Sequence, residues 1–397
     1  MKLASVDAAR AVMLDGLTTL AAQDVPLAET LGRTLASDVL AGRPQPPFDA
    51  SAMDGWAVRV ADCPGTLRIV GESAAGRGFD GVVGAGEAVR IFTGAPVPAG
   101  ADTVIIQEDA RREGEAITVP ATEGPRHIRS TGCDFNAGEV LLRRSTRLDP
   151  WRLALAAASG AAQLPVAPRP TVAILSTGDE VVEPGGRPGP FQIFNSATTA
   201  LAALVRTWGG APKNLDPVGD DLAATTAAVS GAGGDVIVTV GGASVGDYDL
   251  VKPAMAALGL RLLIESVDVR PGKPTWFGIL ADGRRVLGLP GNPGSAMVCA
   301  ELFLRPLIAA MLGADAATTL IAARAAAAMP ANQGREHWMR ARLSHGADGA
   351  LTVLPFADQD SSLVRIFSEA NALVRRRRDA PAVSAGEPVD VLALPRS

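Results

Sequence analysis

The sequence of 397 residues predicts a multidomain α/β plus β protein: a central parallel-sheet α/β domain, a β-rich domain inserted into a discontinuous helical one, and a C-terminal β domain. Three observations predict this. The length exceeds what one ordinary hydrophobic core organises. Residues 56–142 hold short β-like runs split by Gly-rich turns, with no helical period before WRLALAAASGAA. From 171 to 312 short apolar strands alternate with amphipathic helical patterns, which implies βαβ units and a parallel sheet covered on both faces.

Taken in order, the first element is a helix with Ser5 as N-cap and Asp7 in its first turn. LGRTLASDVL reads as a second short helix, and GRPQPPFDASAMDG then breaks all periodicity. TLRIV, EAVRIF, DTVIIQ and AITVP are the strands of the insert. In the α/β region, TVAIL, DVIVTV and RLLIESVDV are strands. NSATTALAALVRTWGG is a helix with Leu201, Leu204, Val205 and Trp208 on one stripe. A last helix from about Gly294 to Leu312 carries Met297, Ala300, Leu304, Leu307, Ile308 and Met311. GREHWMRARL, ALTVLPF, NALVRRR and PVDVLAL predict a small C-terminal domain of strands. The boundaries read as 1–42 with 143–170 (helical), 43–142 (insert), 171–313 (α/β) and 314–397 (C-terminal).

Composition narrows the function. Hydrophobic residues make up 47% and charged residues 20%, which is a globular rather than a disordered balance. No charge-free apolar run of about eighteen residues stands out, so no membrane span is expected. The N-terminus resembles neither a signal nor a transit peptide, and a cytoplasmic protein is expected. The three cysteines and three histidines are scattered, which disfavours a disulfide framework or a zinc site. A net charge of −5 argues against nucleic acid as partner, and Arg375 to Arg378 reads as a solvated strand end or turn.

Chemistry concentrates in loops that follow the α/β strands, where open sheets bind ligands. STGDE (Ser176, Thr177, Gly178, Asp179, Glu180) follows TVAIL, and GGASVGDYD (Gly241 to Asp249, with Gly242 and Ser244) follows DVIVTV. LPGNPGS (Pro290, Gly291, Asn292, Pro293, Ser295) opens the last helix, and RPGKP adds Arg270 and Lys273. Glycines let backbone N–H groups approach an anion, hydroxyls add donors, and a helix N-terminus adds its dipole. Glu180, Asp220 and Asp249 would repel that anion unless a hard cation lies between, which points to Mg²⁺. Each loop alone also reads as plain turn chemistry; three together at successive strand ends do not. In the insert, FDASAMDGWAV and FTGAPVP read as a binding edge bearing Asp49 and Asp54, or as a linker between domains.

PPFDASAMDGWAV, RIFTGAPVPAGADTVI, STGDEVVEPG, VGDD, GGASVGDYD, RPGKP and LPGNPGS, in that order, resemble the molybdopterin molybdenumtransferases, which include MoeA-type enzymes and the E domain of gephyrin. The match covers essentially the whole chain. The resemblance implies a pterin-binding α/β domain, a C-terminal β-barrel and a homodimer whose cleft joins the insert of one subunit to the α/β and C-terminal domains of the other. It places catalytic residues at Asp54, Thr93, Asp134, Glu180, Asp220 and Asp249, with the last three as metal ligands. Ser361, rather than the adjacent Ser362, is taken as a further hydroxyl of the cleft. Arg270 stands where some members have lysine, keeping charge but changing donor geometry. Ser266 stands where some carry a further lysine.

The implied reaction inserts molybdate into adenylyl-molybdopterin and releases AMP, with Mg²⁺ near the phosphoanhydride. Molybdate would meet Arg270 or Lys273, Ser361 and backbone N–H groups. The substrate's dithiolene sulfurs ligate the metal, so no protein cysteine is needed. The implied partners are the molybdopterin adenylyltransferase and apo-molybdoenzymes. Two other readings stay open here: a non-catalytic pterin carrier, and an enzyme that adenylylates molybdopterin or cleaves a nucleotide pyrophosphate.

Overall fold

A computed structural model of the chain describes residues 3–242 and 250–394. Helix α1 (Val6–Leu14) begins where the sequence predicts, its Ala8 N–H donating to the Ser5 hydroxyl. It buries Val6, Ala9 and Met13 in the core of the α/β unit. LGRTLASDVL, by contrast, is not helical. Gly32 takes φ +72°, Leu35 donates its N–H to the Thr146 carbonyl and accepts from the Ser145 N–H, and Val39–Leu40 pairs with Val140–Leu142. A helix this short is marginal without tertiary support, so the non-local pairing prevails. Helix α2 (Pro150–Ala158) starts with Pro at its first position and Asp149 accepting from the Arg152 N–H. It packs on Leu35, Val39, Leu142, Leu148 and Leu164 in a separate small core.

The insert forms a six-stranded mixed sheet in the order Thr103–Ile106, Gly55–Val58, Glu87–Ile91, Gly65–Ser73, Ala116–Val119, Arg111–Glu113. Its alternating residues feed two clusters, one around Trp56, Val58 and Ile117 and one around Ala57, Val89 and Val104.

The α/β sheet runs Ala211–Asn214, Thr171–Ser176, Val236–Val240, Arg285–Leu289, Trp276–Ile279, Arg261–Ile264. The first four strands are parallel, and the last two are antiparallel additions at one edge. The edge departs from the parallel expectation because Trp276–Ile279 and Arg285–Leu289 are joined by a short turn with Gly283 at φ +88°, too short for a crossover. Helices α3 (Ser196–Thr207), α4 (Leu222–Gly231) and α5 (Val251–Ala257) cover the two faces. Val172, Ile174, Val236 and Val238 face the core of α1 and α3, while Ala173, Leu175 and Ile237 face that of α4 and α5. RLLIESVDV is split: Arg261–Ile264 stays in this sheet, and Val269–Arg270 pairs with Glu336–His345 of the C-terminal domain.

The last helix spans Pro293–Met311, as α6 (Pro293–Cys299), a π-helical turn (Ala300–Leu304) and α7 (Arg305–Met311). By length and composition this helix alone among the described residues could cross a membrane, a feature the sequence reading passed over; 78% of it is buried inside the fold. The π-turn has a local cause. Pro306 has no N–H to give the Leu302 carbonyl, and Arg10 Nε of α1 donates to that carbonyl at 2.8 Å instead.

C-terminally, Glu336–His345, Leu351–Pro355, Ile321–Ala325, Pro388–Ala393 and Ala372–Arg376 pair around a closed ring, a five-stranded barrel. Its core is built from small side chains such as Ala323, Ala325, Ala341 and Ala372 with Val353, Val374 and Val391. The arginine run is not simply solvated. Arg375 is largely buried against Glu336 and Asp7, and Arg376 is 3% exposed, because both lie inside a paired strand. Only Arg377 and Arg378 reach solvent.

Candidate active site

Strand register builds the site. Ser176, Val240 and Leu289 end their strands at matched positions across three adjacent parallel strands, so the loops that follow them emerge side by side. Gly241 (φ +96°) donates its N–H to the Leu289 carbonyl, and a Cβ on it would lie 2.5 Å from the Thr177 carbonyl oxygen. Only glycine fits there. A Cβ on Gly291 would meet the Gly241 backbone at 3.5 Å, so the second and third loops also touch. Gly242 is likewise left-handed, at φ +57°. Ser244 and Asp249 lie outside the described residues.

On the first flank sit the acids. Gly178 (φ +131°) turns the chain so that Asp179 and Glu180 stand exposed beside Asp220, whose N–H donates to Asp179 Oδ1 at 3.1 Å. Desolvation, then Asp179 and then Glu180, push the Asp220 carboxyl above the usual carboxylate range. Crowded acids of this kind call for a cation. Among the described residues no three His, Cys, Asp or Glu side chains form a ready metal cage. Ser176 is buried and its Oγ accepts from Asn195 Nδ2 at 3.0 Å, while the Thr177 hydroxyl is buried without a partner. Asn195, unmarked in the sequence reading, also caps α3 and donates to Glu183 at 2.5 Å.

On the opposite flank the barrel closes over LPGNPGS. Asn292 Nδ2 donates to Ser361 Oγ at 2.9 Å, and the Gly294 N–H donates to the Ser361 carbonyl at 2.8 Å. One helix N-terminal amide expected to face a ligand is therefore already engaged. Ser362 instead turns its N–H and hydroxyl to Asp360. Pro290 and Ser295 are buried, and Pro293 occupies the first helical position. Arg340, fully buried, holds its Nε near Gln359 and its guanidinium over the Phe367 ring at 5.4 Å, with Nη2 unpartnered. A Cβ on Gly294 would lie 3.3 Å from Arg340 Nη1, so the charge stands at the helix N-terminus. Asp358 and Asp360 lie close enough to oppose this charge, and the unpartnered Nη2 beside a positive helix end still favours a further anion there. The sequence signal was available: Arg340 alternates with Trp338 on a strand face that should be apolar. Arg270 and Lys273 line a neighbouring cavity of about 340 Å³ with Asp268, Arg335 and Arg378.

The insert assembles its own group. Thr93 donates through both N–H and Oγ1 to Asp54 Oδ1, at 2.7 and 2.8 Å, and these bonds hold the Asp54 carboxyl below its ordinary range. Thr131 binds Asp49 in the same way, at 2.8 and 3.0 Å. Asp134 is exposed, its N–H donating to the Gln45 carbonyl. Among the described residues no side-chain hydrogen bond or salt bridge joins this group to the α/β loops within one chain.

Three glycine-bearing loops at one sheet edge, acids on one flank and a buried guanidinium with one unpartnered nitrogen on the other define a ligand-binding α/β protein. The chain matches the models of the MoeA N-terminal region (domain I and II) over residues 4–160, a probable molybdopterin binding domain over 173–310 and the MoeA C-terminal region (domain IV) over 322–394. It is 36% identical over 387 residues to molybdopterin molybdenumtransferase 2 of Mycobacterium tuberculosis, covering 93% of this chain and 94% of that one. It is 33% identical over 399 residues to the molybdopterin molybdenumtransferase of Haemophilus influenzae, covering 98% of each. The crystal structure of the molybdopterin biosynthesis moeA protein from Pyrococcus horikoshii superposes with a TM-score of 0.85 at 29% identity over the full length of both chains. The chain belongs to the molybdopterin molybdenumtransferase family.

Proposed function

We propose that this protein is a molybdenumtransferase that inserts molybdate into adenylyl-molybdopterin and releases AMP. The observation that carries the reading is the register alignment of the strands ending at Ser176, Val240 and Leu289. The crowded acids flank the first of these loops, and Arg340 stands at the start of the helix that follows the third, which supports the reading. Glu180, Asp220 and Asp249 would hold Mg²⁺, which when bound supplies positive charge beside the phosphoanhydride. Gly241, Gly242 and Gly291 let the backbone approach the pyrophosphate, and Ser244 and Ser295 add hydroxyls near it. Arg340, Lys273, Arg270 and Ser361 orient the tetrahedral dianion on the opposite side. Cys299 takes no part: burial pushes its thiol up to about 12, so it stays protonated.

Asp54, Thr93 and Asp134 complete the cleft from the insert of a second subunit in a homodimer. The cytoplasm, where the adenylyltransferase supplies the substrate and apo-molybdoenzymes take up the product, is the proposed compartment. AMP release from adenylyl-molybdopterin with Mg²⁺, with and without molybdate, paired with activation of an apo-molybdoenzyme, tests the reading. Molybdate-dependent release with active cofactor is the expected result; tight binding with no cleavage at any molybdate concentration would favour a carrier. Asp249→Ala abolishes AMP release while leaving the thermal melt unchanged, and undiminished release would remove Asp249 from the mechanism.

A further inference from the structure

The barrel has an unusual open end. Small barrels fill their interior with apolar side chains, and this one does so with Ala323, Ala341, Val353 and Val374. Where strands Glu336–His345 and Ala372–Arg376 reach one rim, His337 and Arg376 are direct register partners, on the same face as Met339 and Val374. They are only 7% and 3% exposed, and His337 Nε2 is buried with no hydrogen-bond partner. Both line a cavity of about 290 Å³, together with Arg270, Met329, Pro330, Ala331, Asn332, Gln333 and Met339. The loop forming its lip is fixed by Asn332, whose Nδ2 donates to the carbonyls of Arg335, Arg376 and Arg377.

The charge around this cavity is one-sided. Arg270 and Arg376 form no salt bridge among the described residues. Glu336 is engaged with Arg375 and Trp338 and Asp379 with the Gly334 N–H, while Asp268 gives Oδ2 to Arg378, keeps Oδ1 unpartnered and lines the adjoining cavity rather than this one. Arg376 Nη2 donates to the Pro381 carbonyl, which leaves its charge unpaired, and His337 Nε2 has no partner at all; a buried guanidinium beside a partnerless imidazole favours an acceptor with negative charge. The wall of Met329, Pro330 and Met339 demands something apolar, and the volume lies at the small end of organic-ligand pockets.

We propose that the open end of the C-terminal barrel binds a small organic anion, its oxyanion head on His337, Arg376 and Arg270 and its apolar body against Met329, Pro330 and Met339. Arg270 and Gln333 also line the cavity of Lys273, so the barrel site adjoins the cleft. The proposal shares Arg270 with the transferase reading and rests on that reading only there, since His337 and Arg376 lie on the far side of the strand from Arg340.

Binding is linked to pH. Desolvation, then Arg270, Arg340, Arg376 and Arg335, depress the His337 pKa to about 4 from 6.5, so the ring is neutral at pH 7. An anion seated on the ring opposes those guanidiniums and raises that pKa. The bound state then takes up a proton at a pH where the free state does not, and affinity rises as pH falls toward the free value of about 4.

The test is direct because the chain has three histidines, His127, His337 and His345, whose ring signals are separable by NMR. Histidine-labelled full-length protein is titrated with phenyl phosphate and with inorganic phosphate. Saturable shifts of the His337 ring are expected, with phenyl phosphate the tighter binder. His337→Gln and Arg376→Met are each expected to weaken phenyl phosphate about tenfold or more. The wild-type ring shift keeps the test valid if either variant fails to fold. Binding that leaves the His337 ring unmoved, no saturable binding, or retention of affinity in both folded variants would overturn the proposal. Equal affinity for the two probes would overturn its apolar half.

Discussion

Asp54 and Thr93 show how a single polar pair sets the chemistry of an exposed acid. The carboxylate accepts two bonds from one threonine, and both favour the charged form. Its folded pKa is depressed, so the stability it contributes is present above the ordinary carboxylate range and is lost as pH falls through the lowered folded value. Thr93→Val removes the hydroxyl bond, and the Asp54 carboxyl, followed by NMR, is expected to titrate at higher pH than in the parent. No shift would mean that the backbone bond alone holds it. Both residues were legible in the sequence as members of motifs, but their contact was not. Arg340 was missed altogether: a motif search sees acids and glycines in loops, whereas its importance lies in burial and an unpartnered nitrogen.

At the scale of elements, Pro293–Met311 joins two roles in one helix. Its start touches Ser361 and Arg340, and its middle passes through the α/β core. Pro306 opens the π-turn, and Arg10 from the other end of the chain satisfies the carbonyl left over. Arg10→Met should therefore cost about 1–3 kcal/mol, the price of an unsatisfied buried carbonyl, measured by denaturant unfolding. A cost near zero would mean that water or another donor reaches the Leu302 carbonyl once the guanidinium is gone. The helix's apolar stripe was readable from sequence; the π-turn was not, because it depends on which distant donor arrives. LGRTLASDVL failed for the same reason, since partners at residues 145–148 outcompete a local helix.

For the whole molecule, the separation of the Asp54–Thr93 group from the α/β loops within one chain motivates a cleft shared between subunits. Asp54→Asn and Glu180→Gln are each expected to be inactive as homodimers. When the two are co-expressed, half the dimers are mixed, and each mixed dimer has one cleft with both mutations and one with neither. Activity of about a quarter of the parent's is then expected. Mixed dimers with no activity would place each cleft within a single chain.

The sequence by itself determined the layout. Periodicity of two or about 3.6 residues set strand against helix, glycine and proline set the loops, and the ordered motifs set the family, because these are local properties written in adjacent residues. Only tertiary structure decided what depends on contacts between distant segments. It aligned Ser176, Val240 and Leu289 at one edge, turned two strands antiparallel, closed the barrel, buried Arg376 beside His337 and set Arg340 against a helix end. Register and burial emerge only when the chain has folded and each side chain has its neighbours.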